Sequence, residues 1–283
     1  MPLPWSTPGA GGRAVPVGMG ARRGRADPPG RRNVNPMDQT NRMTPDEAGN
    51  AARGATLIST PGAAADKPTL RRAMLRRRRE TDAGERLEAG ERLVAVARKA
   101  GLIGGAGPVG ETRSLGESGL PVGPDRTVAA YVSTGTEIDL RPLLGALLAS
   151  GSRVIVPRLG AGLDVGWSEL RSVAALASPG AGRPSEPMGE RTLGPEALSQ
   201  ADLIILPALA VNVDDGTRLG RGGGWYDRAL AHASPAAPVI AVCWPWEVTH
   251  DPLPREAHDV PVDAALTPDG ITMIGRVAGA TSM

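Results

Sequence analysis

The stretch from Arg218 to Arg228, RLGRGGGWYDR, gathers residue types suited to binding a phosphorylated ligand. The consecutive Gly222, Gly223 and Gly224 let backbone N–H groups approach an anion closely, and the apolar helix expected after them adds the positive end of its dipole. Arg218 and Arg221, on either side of Leu219 and Gly220, carry planar donor forks that match phosphate oxygens. Asp227 follows where a carboxylate can hold Mg²⁺ already bound to those phosphates. A plain glycine turn, with Asp227 as a first-turn acid, is the competing reading. Two commoner glycine motifs do not fit. A dinucleotide fingerprint needs a third glycine where Trp225 stands, and a P-loop needs Gly-Lys-Ser/Thr, which this segment lacks.

Other candidates are weaker alone. Lys67 and Arg71 lie four apart on an expected helix, so both heads can reach one polyphosphate; a solvated basic face is the alternative. Glu137 follows an apolar strand and falls at the mouth of the expected sheet, or serves as a helix N-terminal acid. His258-Asp259 is a lone pair that reads as a turn before it reads as a metal site. Cys243, in an apolar strand without a basic neighbour, reads as inert core.

These residues need a scaffold, and its pattern is α/β. TVAAYVS (127–133), RVIVP (153–157), DLIILP (202–207) and PVIAVCW (238–244) are apolar strands, and EIDLRPLLGALLAS (137–150) is an amphipathic helix. Strands apolar on both faces belong in a mainly parallel central sheet covered by helices on each side, a single three-layer domain. Helices are also expected from Lys67, after Asp82 with Glu85 as its capping partner and Gly101 as its stop, and from about 223 to 232. The Gly-rich stretch 104–124 reads as a surface insertion. Ser178 to Pro195 reads as a loop over the sheet edge or the site. Residues 1–66, rich in Gly, Pro, Ala and Arg, read as a disordered tail before a domain spanning 67–283.

Composition narrows the function classes. The formal charge is +2, but the first 66 residues hold eight Arg against five acids, so the body is close to neutral and does not read as a nucleic-acid surface. One cysteine excludes an internal disulfide and a multi-cysteine zinc site. No apolar run approaches the about 20 residues of a membrane helix, and the N-terminus lacks a secretory pattern, so a soluble, cytoplasmic protein is expected.

Four segments in this order resemble the 5-formyltetrahydrofolate cyclo-ligase family: KPTLR (67–71), YVSTGTE (131–137), PALAVNVDDGTRLGRGGGWYDR (207–228) and LPREAHDVPVDAALT (253–267). The strand ending at Arg158 and the Glu186-Pro187 pair also look like family features. The resemblance spans about 67 to 275. It implies ATP contacts from Lys67, Arg71 and the run Arg218, Leu219, Gly220, Arg221, Gly222, Gly223, Gly224, Trp225 and Tyr226. It implies Mg²⁺ ligands at Asp227 and Asp259, and a folate pocket lined by Val132, Glu137 and the Arg221, Gly223 and Trp225 stretch. Arg221, Tyr226 and Glu137 would be the residues closest to the chemistry. The implied reaction is ATP-driven closure of 5-formyltetrahydrofolate to 5,10-methenyltetrahydrofolate, with or without a polyglutamate tail on the substrate, by a monomer.

Three departures stand out. The turn before the glycines, Val211 to Gly216, is one residue longer than the family's and has Asn212 where the family has Asp. The family's Tyr-Tyr-Asp reads Trp225-Tyr226-Asp227, and its Gln before the last segment is Glu247, which could repel a polyglutamate tail or change its own protonation. Asn212 and Glu247 motivate a second reading, a non-catalytic folate- or nucleotide-binding paralogue. The arginine-rich tail and first helix motivate a third, an RNA-associated protein.

Overall fold

Aliphatic residues alternate between two faces of one sheet, and that alternation organises the chain. The structure, a computed structural model, describes residues 66–103, 122–159, 165–180 and 183–274. The expected tail, up to residue 65, and the Gly-rich stretch from 104 to 121 lie outside the described residues. Asp66 is the N-cap of the first helix, its side chain accepting from Thr69 N at 2.9 Å.

The helices are α1 (Lys67–Arg78), α2 (Ala83–Lys99), α3 (Arg141–Ala149) and α4 (Trp225–Leu230). Asp82 and Glu85 close a reciprocal capping box on α2, and Gly101, at φ 71°, turns the chain just past its end. The strands begin with β1 (Thr127–Ala129), β2 (Arg153–Leu159), β3 (Val165–Leu170), β4 (Leu176–Ala177), β5 (Glu186–Pro187) and β6 (Thr192–Leu193). They continue with β7 (Leu203–Pro207), β8 (Ala210–Asn212), β9 (Arg218–Leu219), β10 (Val239–Val242), β11 (Val248–Thr249), β12 (Ala264–Thr267) and β13 (Gly270–Met273).

The main sheet runs β13-β12-β10-β7-β1-β2-β3-β6. Its five central strands are parallel, while β13, β3 and β6 are antiparallel at the edges. Along β7, Leu203 and Ile205 join the core beneath α2 and α3, whereas Ile204 and Leu206 join the core that includes α4 and Trp167. β10 divides the same way, Ile240 and Val242 against Val239 and Ala241. This period of two buries both faces and gives the three layers. Burial alone stabilises each of these Leu, Ile and Val side chains by roughly 1.5–3 kcal/mol.

The helix expected over 137–150 begins only at Arg141. Pro142 sits in its first turn, and Glu137 lies in the preceding turn, so Glu137 is not an N-terminal helix acid. A second sheet, β11-β8-β9, stands apart from the first, and α1 packs Leu70 and Met74 against its Ala210 and Leu219. Among the described residues, no helix is long and apolar enough to cross a membrane.

Candidate active site

The parallel strands end at a cavity of about 530 Å³. Beyond β1 lie Tyr131 and Val132, beyond β7 lie Ala208 and Leu209, and β2 contributes Pro157 and Leu159, all lining it. β1 runs to β2 on one side and pairs with β7 on the other, so the cavity lies at the carboxyl edge where the strand order reverses. The opposite wall comes from the small sheet, the glycine loop and one face of α1. Every residue singled out above for phosphate, metal or folate contact lines this cavity, from Lys67 and Arg71 through Val132, Glu137 and the Arg218–Asp227 run to Asp259.

Two carboxylates are held by cations. Arg218 Nη2 donates to Asp227 Oδ1 at 2.6 Å, and Lys67 Nζ donates to Asp259 Oδ2 at 2.7 Å while standing 2.9 Å from Glu256 Oε1. Burial works against the charge on Lys67 and on Asp259. The contact between them wins, so the ammonium is held above and the carboxyl below its ordinary value. His258 sits over the same cluster, Nε2 3.4 Å from Glu256.

The glycine loop is shaped around an arginine. Arg71 Nε donates to Gly220 O at 2.9 Å. Gly222 has φ 101°, and a Cβ there would lie 3.3 Å from the Arg71 guanidinium carbon. Both the backbone conformation and the close approach call for glycine at this position. Gly224, at φ 59°, turns the chain into α4, which holds Trp225, Tyr226 and Asp227 in the wall. Trp225 packs edge-on against both the buried Trp167 and Tyr226, with centroids 5.3 and 4.9 Å apart.

Glu137 is buried, and its Oε2 accepts from Thr134 N at 2.7 Å. Burial pushes its carboxyl up, while the Thr134 N–H, Arg221 and Arg78 pull it down. Arg221 leaves the glycine loop to donate to Thr134 Oγ1 at 3.0 Å, with Nη1 3.5 Å from Glu137 Oε1. Tyr131 and Tyr226 face this carboxylate. Burial first, then its negative charge, pushes both phenols well up, so they are neutral donors at physiological pH.

Asn212 and Glu247 do not line the cavity. Asn212 is buried, donates from Nδ2 to His250 O (3.2 Å) and Asp251 O (2.9 Å), and accepts at Oδ1 from Asp214 N (2.8 Å) and Asp215 N (3.1 Å). It therefore pins the lengthened turn to the strand-end loop after β11. Glu247 is enclosed behind the site and accepts from Arg78 Nε at 2.6 Å, Arg78 Nη2 at 2.7 Å and Trp244 N at 2.9 Å. It does not face the cavity, so repulsion of a polyglutamate tail there has no route. Burial pushes the carboxyl up, to about 7, against the pull of Arg78. The bidentate fork, which a protonated carboxyl cannot accept in full, is the arrangement of the ionised pair. Cys243 is buried with its thiol pushed up by burial, as expected for core.

Arg78 was hidden inside a basic run. Its register gives it away: Leu70, Met74 and Arg78 recur every four residues and are the three buried positions of α1.

Residues 121–268 match the 5-formyltetrahydrofolate cyclo-ligase family. A protein named 5-formyltetrahydrofolate cyclo-ligase from Mycolicibacterium smegmatis is 41% identical over 157 residues, covering 53% of this chain and 77% of that one. The protein of the same name from Escherichia coli K12 is 31% identical over 159 residues, 53% of this chain and 82% of that one. Among solved structures, Aquifex aeolicus 5,10-methenyltetrahydrofolate synthetase superposes with a TM-score of 0.54 at 26% identity, covering 77% of this chain and 95% of that one. The chain belongs to the 5-formyltetrahydrofolate cyclo-ligase family and is a ligase.

Proposed function

We propose that this ligase uses ATP and Mg²⁺ to close 5-formyltetrahydrofolate to 5,10-methenyltetrahydrofolate, releasing ADP and phosphate. The observation that carries this reading is the convergence of Lys67 and Arg71 from α1 with Arg218, the glycine loop, Asp227 and Asp259 in one cavity. Cations and close-approach glycines suit a polyphosphate, and two carboxylates suit a hard divalent ion. The donor set fits both groups. Lys67, Arg71, Arg218 and the loop amides would hold phosphate oxygens, and Asp227 and Asp259 would hold the metal. Mg²⁺ would neutralise charge on the phosphates.

A formamide oxygen is a poor leaving group. In the proposed route the formyl oxygen takes the γ-phosphoryl group as its bond to ADP breaks. The N10 lone pair then attacks the activated carbon, the C–O bond breaks with departure of phosphate, and the N10 proton is lost. The chain's part is positioning and charge stabilisation. Val132, Gly223 and Trp225 would line the pterin, Glu137 would orient it, and Arg221 and Tyr226 would donate toward the reacting end. We further propose a monomeric, cytoplasmic enzyme. The test is the absorbance of methenyltetrahydrofolate on mixing 5-formyltetrahydrofolate, ATP and Mg²⁺ with the protein. Folded, ATP-binding protein that forms no product would leave the non-catalytic reading in its place.

A further inference from the structure

Arg78 occupies a position where the register of α1 calls for an aliphatic side chain. It is 3% exposed and follows Leu70 and Met74 on the buried stripe. Burying an ion pair there stabilises a fold little or not at all relative to apolar side chains of similar volume, so packing does not explain the charge. Its donors are unevenly used. Nε and Nη2 fork onto Glu247 at 2.6 and 2.7 Å, and Nη2 also donates to Ala208 O at 2.5 Å. Nη1 has no hydrogen-bond partner among the described residues, and it is not one of the polar atoms sealed from solvent without a partner. Arg78 lines the cavity, and Nη1 is the nitrogen that no protein acceptor takes up.

Its place along α1 says which part of a ligand it meets. Arg78 is eleven residues after Lys67, about 16 Å along the axis and within roughly 20° of the same face. Lys67, Arg71 and Arg78 thus form a row down one wall, with two cations at the expected phosphate end and one far from it. The groups around Arg78 are Ala208, Tyr131 and Glu137, whose charge interacts with its own. A buried carboxylate beside a buried guanidinium offers one acceptor and one set of donors. That pairing suits a ring edge that carries an N–H next to a carbonyl.

Resting on the proposed folate reading, we propose that Arg78 is a specificity-determining residue whose Nη1 donates to the ring carbonyl of the pterin, and that Glu247 is the positioning residue that holds its fork. A guanidinium whose Nε and Nη2 are taken up by Glu247 and Ala208 can donate to a ligand only from the two N–H groups of Nη1. The acceptor it selects is a carbonyl oxygen. An amino group at the same ring position brings N–H against N–H.

The test compares binding of 5-formyltetrahydrofolate with that of its analogue carrying an amino group in place of the ring carbonyl, by calorimetry, with ATP affinity measured alongside. The wild type should prefer the oxo ligand by at least roughly tenfold, the value of one charge-assisted hydrogen bond. Arg78→Met combined with Glu247→Met removes both buried charges together, which keeps the fold where a single change would strand one. This double variant should lose most of the preference, keeping only the part that Glu137 contributes through the ring N–H, with ATP affinity within about threefold of wild type. Glu247→Gln should shrink the preference partway. A wild type without the preference, or a folded double variant that retains it undiminished, overturns the assignment to Arg78 and leaves the proposed function standing. Wild-type protein that binds neither pterin overturns the proposed function itself, and this assignment with it.

Discussion

The main sheet and the small sheet β11-β8-β9 are held together by different forces. In the first, Val128, Ile204 and Ile240 bury nearly all of their surface between helical layers, and strand pairing runs through up to six residue pairs. In the second, the strands are two or three residues long, and the turn between β8 and β9 is held by a few hydrogen bonds, four of them made by one side chain, Asn212. The large sheet supplies stability through area. The small sheet and its glycine loop supply placement, through few contacts that each matter. Substitutions in the two regions should therefore separate folding from ligand chemistry.

The sharpest separation should come from Asp227→Asn. The amide keeps an acceptor for Arg218, so the melting temperature should move little. Loss of the carboxylate's charge should lower kcat/KM by about 10²-fold with Mg²⁺ and ATP saturating. Unchanged activity would remove Asp227 from the metal site. The opposite result is expected from Leu144→Ala in α3, which is fully buried beneath the sheet. It should cost about 2–5 kcal/mol in denaturant titration and change kcat/KM of the remaining folded protein by less than about threefold. A large loss of activity at full foldedness would blur the division.

The same division governs what the sequence made legible. β1, β2, β7 and β10 are read from uninterrupted aliphatic residues, because both sheet faces are covered and each position along the strand is apolar. β3, VGWSEL, escapes because Gly166, Ser168 and Glu169 interrupt the pattern, and its membership depends on pairing with β2. The small sheet escapes because strands of two or three residues have no readable period. The glycine loop, Lys67 and Glu137 were legible as chemistry, but their meeting in one cavity was visible only through the family resemblance, since it depends on contacts such as Lys67 to Asp259 across 192 residues. Arg78 was legible in principle from its spacing after Met74, and was masked by the arginines on either side.

Within the small region the effects should be finer. Gly222→Ala places a Cβ against the Arg71 guanidinium and puts a side chain at φ 101°. Stability should fall by about 1 kcal/mol. ATP affinity should fall roughly tenfold, because Arg71 is displaced from the loop that positions it. ATP binding at wild-type strength would mean that Arg71 does not act through this contact.

The smallest effect on ligand chemistry is the most specific. Asn212→Asp introduces the residue that the family resemblance leads one to expect before the glycines, and on that ground alone it would be neutral or favourable. The hydrogen bonds argue otherwise. Oδ1 accepts from Asp214 N and Asp215 N, a role that a carboxylate can keep, but Nδ2 donates to the carbonyls of His250 and Asp251. An aspartate oxygen in place of Nδ2 would face two carbonyl oxygens in a buried site, losing both donors and adding repulsion. The cost should be about 1–3 kcal/mol in urea, with kcat/KM within about threefold because Asn212 stays clear of the cavity wall. The amide reaches from Asp214 N to Asp251 O and so serves as a brace between two loops. An Asn212→Asp variant as stable as the wild type would show that the turn holds without the brace, and the small sheet would then owe its shape to α1 packed on Leu219.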